Sequence, residues 1–212
     1  MTGLASIVGA TSSTARQAVL RRRIRLLVAA TIAYNIVEAA VAITAGTLAS
    51  STALIGFGLD SVVEVASAAA VAWQFSAADP HRREKTTLRL IAASFFALAA
   101  YVTAESVRAI AGATEADHSP VGIGLAALSL LVMPILSYAQ RRAGREFGSA
   151  SAVADSKQTL LCTYLSAVLL VGLVANATLG WWWADPLTAL VIAAVAVKEG
   201  REAWRGDACC AP

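Results

Sequence analysis

Six apolar stretches separated by short polar breaks organise the chain: Ile24–Thr47, Thr52–Phe75, Leu88–Ala111, Val121–Tyr138, Ala152–Ala177 and Trp182–Val197. A helix rises about 1.5 Å per residue, so roughly 20 apolar residues cross the ~30 Å hydrocarbon core of a bilayer. The pattern therefore predicts six membrane-spanning helices. Their connections are Ala49-Ser50-Ser51, Ala77 to Thr87, Gly112 to Pro120, Gln140 to Ser151 and Thr178 to Trp181. Trp181-Trp182-Trp183 opens the last stretch as an aromatic anchor suited to a membrane interface. Met1 to Leu20 has no strong periodicity and reads as a flexible tail or a surface helix. The expected organisation is an amino-terminal tail over 1–21, a six-span domain over 22–204 and a short tail over 205–212, with no soluble domain.

Composition agrees with a membrane setting. Of 212 residues, 58% are hydrophobic and 15% charged, whereas soluble domains carry about 25% charged residues. Fifteen of the seventeen basic residues fall before the first stretch, between the second and third, between the fourth and fifth, and after the sixth. The positive-inside rule makes that side cytoplasmic. Both termini are then inside. The expected fold class is an all-α integral membrane protein, a six-transmembrane-helix bundle with N-in/C-in topology, multi-pass in the inner or plasma membrane.

Several function classes drop out. The net charge of +3 is spread between apolar segments, which is no nucleic-acid footprint. Arg21-Arg22-Arg23-Ile24-Arg25 before an apolar run resembles a signal peptide, but the run continues to about Thr47, too long for one. Cys162, Cys209 and Cys210 make neither a disulfide framework nor a zinc-finger spacing. No nucleophile–base constellation is evident, and His81 and His118 both lie in connections, so no enzyme is expected.

Polar residues inside the apolar stretches carry the candidate chemistry, because intramembrane charge is costly. Asp60 and Glu64, four apart, share one helix face about 6 Å from each other. In lipid such a pair must share a proton, face a watery cavity or hold a cation. In the fifth stretch Asp155, Gln158, Thr159, Cys162 and Ser166 recur at steps of one, three and four along one side. Two such stripes facing each other make a small-cation site of carboxylate oxygens and a thiolate, a mix suited to zinc, cobalt or cadmium, with manganese favoured by oxygens alone. The plainer alternatives are a helix-packing network or a proton-sharing pair, with Cys162 a small packing residue and Gln158 an interhelical hydrogen-bonding group. Asp155 is either an entrance carboxylate or an interface charge. Asn35 is placed to hold the second span, and Glu38 to border the cavity. Glu105 and Arg108 are expected to pair, and Asp185-Pro186 reads as helix-start chemistry. Cys209-Cys210 reads as a reduced tail pair, with soft-metal collection the sharper alternative.

These residues resemble a known family. Asn35, then Ser51-Thr52-Ala53-Leu54-Ile55-Gly56-Phe57-Gly58-Leu59-Asp60-Ser61-Val62-Val63-Glu64, is similar to the opening of cation diffusion facilitators. Ala154-Asp155-Ser156-Lys157-Gln158-Thr159-Leu160-Leu161-Cys162 looks like that family's fifth span, and Trp183-Ala184-Asp185-Pro186-Leu187 like the start of its sixth. The resemblance implies a divalent-cation exporter coupled to protons, working as a homodimer. It also implies a transport site at Asp60, Glu64, Gln158 and Cys162, where the family usually has His or Asp at the first fifth-span position and Asp at the second. Asp155, Asn35 and Glu38 are accessory candidates. The expected substrate is zinc, cobalt, cadmium, manganese or iron, with no permanently bound cofactor. The expected partners are membrane lipid, divalent cations, protons and a second copy, with no nucleic acid. The chain reads as a short form without the cytoplasmic domain that many members carry. That shortness, with the altered fifth span, supports an alternative: a non-transporting subunit or metal sensor paired with a full-length relative.

Overall fold

The structure, a computed structural model, describes residues 3–75, 81–112, 115–147 and 150–205. Six helices account for nearly all of them: α1 (Gly3–Leu48), α2 (Thr52–Phe75), α3 (His81–Gly112), α4 (Pro120–Phe147), α5 (Ala150–Leu179) and α6 (Ala184–Arg205). No strand occurs among the described residues. Helices α1 to α5 are each long and apolar enough to cross a membrane. The chain is thus an all-α, multi-pass membrane bundle.

The helices outrun the apolar stretches that signal them. α1 continues back to Gly3, so no helix boundary falls near residue 21. α3 begins at His81 and α4 reaches Phe147, which absorbs much of two expected connections. Apolar runs mark the lipid-crossing part of a helix; charged residues extend it into the polar zone, where backbone bonding continues unchanged. The sixth element differs in the other direction. Its uncharged run, Pro186 to Val197, covers only about 18 Å at 1.5 Å per residue. The tryptophans expected to lead it lie ahead of the helix, with Trp181 and Trp183 stacked at 4.9 Å. α6 is held by burying one face, Ala189, Ile192, Ala193 and Ala196, chiefly against α3.

Backbone and side-chain ties fix an up-and-down topology. At one end, Asp117 N donates to Ala49 O (2.8 Å) and Asn176 Nδ2 to Ala116 O (2.8 Å). These bring the α1–α2 turn, the α3–α4 connection and the end of α5 together. At the other end, Arg83 donates to Trp73 O (3.0 Å), and the Arg89 guanidinium lies over the Trp204 ring. That second end carries the arginine-rich segments.

The core interleaves alanines with larger side chains, Leu54, Phe57, Val102, Leu169 and Ile192 among them. Small residues suit a bundle in lipid, where association depends on close packing rather than on expelling water. Gly58 shows the requirement: a Cβ there would lie 2.8 Å from Ile43 Cγ1 and 3.0 Å from Ile43 N. Leu131, Ile135 and Tyr138 of α4 point outward, as lipid-facing residues should.

Candidate cation site

α2 is set in place at its amino end. Ser51 Oγ accepts from Leu54 N (3.1 Å), a helix cap. Its hydroxyl in turn donates to Asp185, which also accepts from Ala53 N (3.3 Å). Asp185 therefore does helix-start chemistry, but for α2 as well as for the first turn of its own helix. Sequence proximity favoured α6 alone; the pairing 134 residues away is made by the fold.

Two turns further along α2, Asp60 and Glu64 meet α5. Ligand atoms of Asp60, Glu64 and Cys162 all lie within 4.8 Å of one another. Asp60 and Cys162 are buried, and Glu64 is partly covered. The Cys162 thiol donates to Glu64 Oε1 (2.8 Å), and Asn35 Nδ2 of α1 donates to Glu64 Oε2 (2.6 Å). Arms of about 2.0 Å to oxygen and 2.3 Å to sulfur at a tetrahedral angle place neighbouring ligands about 3.5 Å apart. The observed separations exceed that spacing by no more than about 1.3 Å.

Among the described residues no ion pair reaches this cluster. The ion pairs among the described residues are Arg108–Glu105, Arg142–Glu146 and Lys198 with Glu199 and Glu202. None reaches Asp60, Glu64 or Glu38. Two carboxylates withdrawn from water without a cationic partner carry a large uncompensated cost when ionised.

Glu38 lies apart from the three ligands. Its carboxylate accepts from Ser61 Oγ (2.8 Å) and from Ser129 Oγ of α4, and Ser129 also bonds the Tyr34 hydroxyl (2.8 Å). Buried and held by hydroxyls from two neighbouring helices, it ties α1, α2 and α4 together. The α5 stripe is split too. Cys162 joins the cluster, Ser166 spends its hydroxyl on Cys162 O (2.7 Å), and Thr159 donates to Gln140 Oε1 (3.0 Å). The side chains of Asp155 and Gln158 lie outside the described residues, as do Cys209 and Cys210 and the His81 side chain. Glu105 and Arg108 pair as expected.

Sequence reasoning passed over Tyr34, Ser61, Ser129 and Gln140. Gln140 links α1 to α5 by donating to Thr31 Oγ1 (3.1 Å) while accepting from Thr159. The available signal was its place four residues after Leu136 on the continuing α4 face, obscured by the arginines that follow.

Comparison with known proteins bears on this geometry. Residues 28–205 match the cation efflux transmembrane domain, most of the chain and all three clustered ligands. The chain belongs to the cation efflux family. It is also similar to an uncharacterized transporter of Synechocystis, 27% identical over 153 residues. That alignment covers 68% of this chain and 49% of the relative, so the chain spans about half the relative's length. A cation efflux domain with this two-carboxylate, one-thiol cluster is consistent with a transporter of metal cations.

Proposed function

We propose that this cation efflux protein carries a divalent transition-metal ion out of the cell in exchange for protons, using Asp60, Glu64 and Cys162 as the carrying site. The observation that supports it most is the cluster itself: three potential ligands drawn from α2 and α5 to within 4.8 Å in a membrane domain. Carboxylate oxygens with one thiolate favour borderline ions, zinc above all, with cobalt, cadmium, manganese and iron as competitors.

The coupling follows from ligand chemistry. A thiol and carboxylates bind metal only after losing their protons, so loading releases protons and unloading takes them up. The packing suits alternating access. α2 and α5 touch each other little, while α5 packs on α4, and α3 on α6. Groups of helices can then rock about the site while each keeps its own packing. In this reading the basic end faces the cytoplasm and the protein works as a homodimer in the plasma membrane.

The test is flux into proteoliposomes holding the purified full chain, with a panel of divalent ions and a pH reporter inside. Wild-type protein should move zinc with opposite proton movement, and Asp60→Ala should abolish both while the protein still purifies as a monodisperse species. Wild-type flux in Asp60→Ala would overturn the assigned site.

A further inference from the structure

Among the described residues the cluster offers three ligands, one short of the four that tetrahedral zinc-type sites take. A candidate fourth donor is on α1. Asn35 is buried, only 3% exposed, and its side chain reaches the cluster through Nδ2, which donates to Glu64 Oε2 at 2.6 Å. With Glu64 ionised, as metal binding requires, that contact fixes the amide's orientation, because the reverse placement would set two acceptor oxygens 2.6 Å apart, which is repulsive. Oδ1 is therefore the free end, sealed from solvent and without a hydrogen-bond partner among the described residues. Buried amide oxygens are almost always satisfied, and an orphan beside a cluster of metal-ligating groups has an evident occupant. Amide carbonyl oxygens are good ligands for divalent ions.

We infer that Asn35 Oδ1 is the fourth ligand of the cation held by Asp60, Glu64 and Cys162. The inference rests on the proposed function and refines its site. The donors then come from three helices, α1, α2 and α5, with three oxygens and one sulfur. It replaces the fourth donor that the resemblance implies, Gln158, with a residue whose side chain is seen at the cluster. A hard oxygen in that position broadens the site toward manganese and iron, relative to one that gains nitrogen or a second sulfur. Asn35 would also couple α1 to loading, because the same amide holds Glu64 through its nitrogen.

The rival role for Asn35 is to brace Glu64 by its N–H alone, and two substitutions separate them. Asn35→Ala removes both functions. Asn35→Asp keeps an oxygen where Oδ1 lies but cannot donate to Glu64, and it sets a carboxylate against a carboxylate. The probe is Co2+, titrated into the purified full chain in detergent and read by its d–d absorption bands and its sulfur-to-cobalt charge-transfer band. An outer-shell partner of a metal ligand is worth about 10–100-fold in affinity. A true ligand should cost at least as much, so Asn35→Ala should weaken Co2+ binding about tenfold or more. It should alter the d–d bands yet keep the Cys162 charge-transfer band. Asn35→Asp should bind Co2+ as tightly as wild type or more so. Wild-type affinity and d–d bands in Asn35→Ala would overturn the inference, as would Asn35→Asp binding no better than Asn35→Ala. If the alanine variant does not fold, Asn35→Asp against wild type decides the matter, and Co2+ binding weaker by about tenfold or more would overturn the inference. Failure of wild-type protein to bind Co2+ would instead remove the carrying site itself.

Discussion

Glu64→Gln separates the cost of holding a buried carboxylate from its use. The side chain keeps its volume, and its carbonyl oxygen can still accept from Asn35, while its amide nitrogen turns toward Cys162. Without metal, wild-type Glu64 accepts two hydrogen bonds, at 2.6 and 2.8 Å. Each is worth about 1.5–3 kcal/mol to a charged acceptor. Withdrawing the carboxylate from water costs several kcal/mol in return. These oppose each other, so the metal-free variant should lie within about 2 kcal/mol of wild type, on either side. Metal breaks the symmetry. At about 100 times its Kd, a bound ion stabilises the folded state by about 2.7 kcal/mol. A chain of this size shifts by roughly 2–4 °C per kcal/mol, so wild-type Tm should rise by about 5–10 °C. If Glu64→Gln lowers affinity about 100-fold, the same metal gives about 0.4 kcal/mol, a shift near 1 °C. Thermal unfolding in detergent, with and without Zn2+, reads both quantities in one series. An equal metal-induced shift in the two proteins would refute the role of Glu64. A metal-free Tm far below wild type would refute the near-cancellation.

Two further outcomes follow from other contacts. Cys162→Ser replaces the soft donor with a hydroxyl that keeps its proton. It should cost Cd2+ affinity about 100-fold but Mn2+ less than about tenfold, measured by competition binding; equal losses would remove the sulfur from the site. Asp185→Ala strands the Ser51 hydroxyl and the Ala53 N–H. It should lower stability by about 2 kcal/mol, with the restored cost of carboxylate burial partly offset. Metal affinity should hold, because the cap lies about 13 Å along α2 from Asp60; a large affinity loss in this variant would contradict that separation.

The membrane character, the helix count and the second-span pair were legible in the chain for simple reasons. Apolar length is set by bilayer thickness, and four residues return to one helix face. Glu105–Arg108 was legible on the same local ground. Helix ends were not, because charged residues after Tyr138 end the lipid-crossing part without ending the helix. The α5 stripe was half legible. Its period gave the face, but a stripe does not say which residue finds which neighbour. Thr159 turned out to serve Gln140, and Cys162 to serve Glu64. The α6 start misled in a similar way: an acidic residue next to proline looks self-sufficient, yet Asp185 secures α2.

The sequence by itself determined that this chain lies in a membrane, with two carboxylates on one helix face that need an explanation there. Both facts depend only on spacing along the chain and on the cost of charge in lipid. Tertiary structure decided what surrounds the pair. Cys162 stands 98 residues from Glu64 and Asn35 stands 29 residues before it, separations that no helical period encodes. Glu38, equally acidic and more fully buried, was drawn instead into the hydroxyls of Ser61 and Ser129. Which carboxylate is left facing a thiol, and which is satisfied by neutral donors, depends on how α1, α4 and α5 pack around α2, and that packing turns a suggestive pair into a candidate site for a cation.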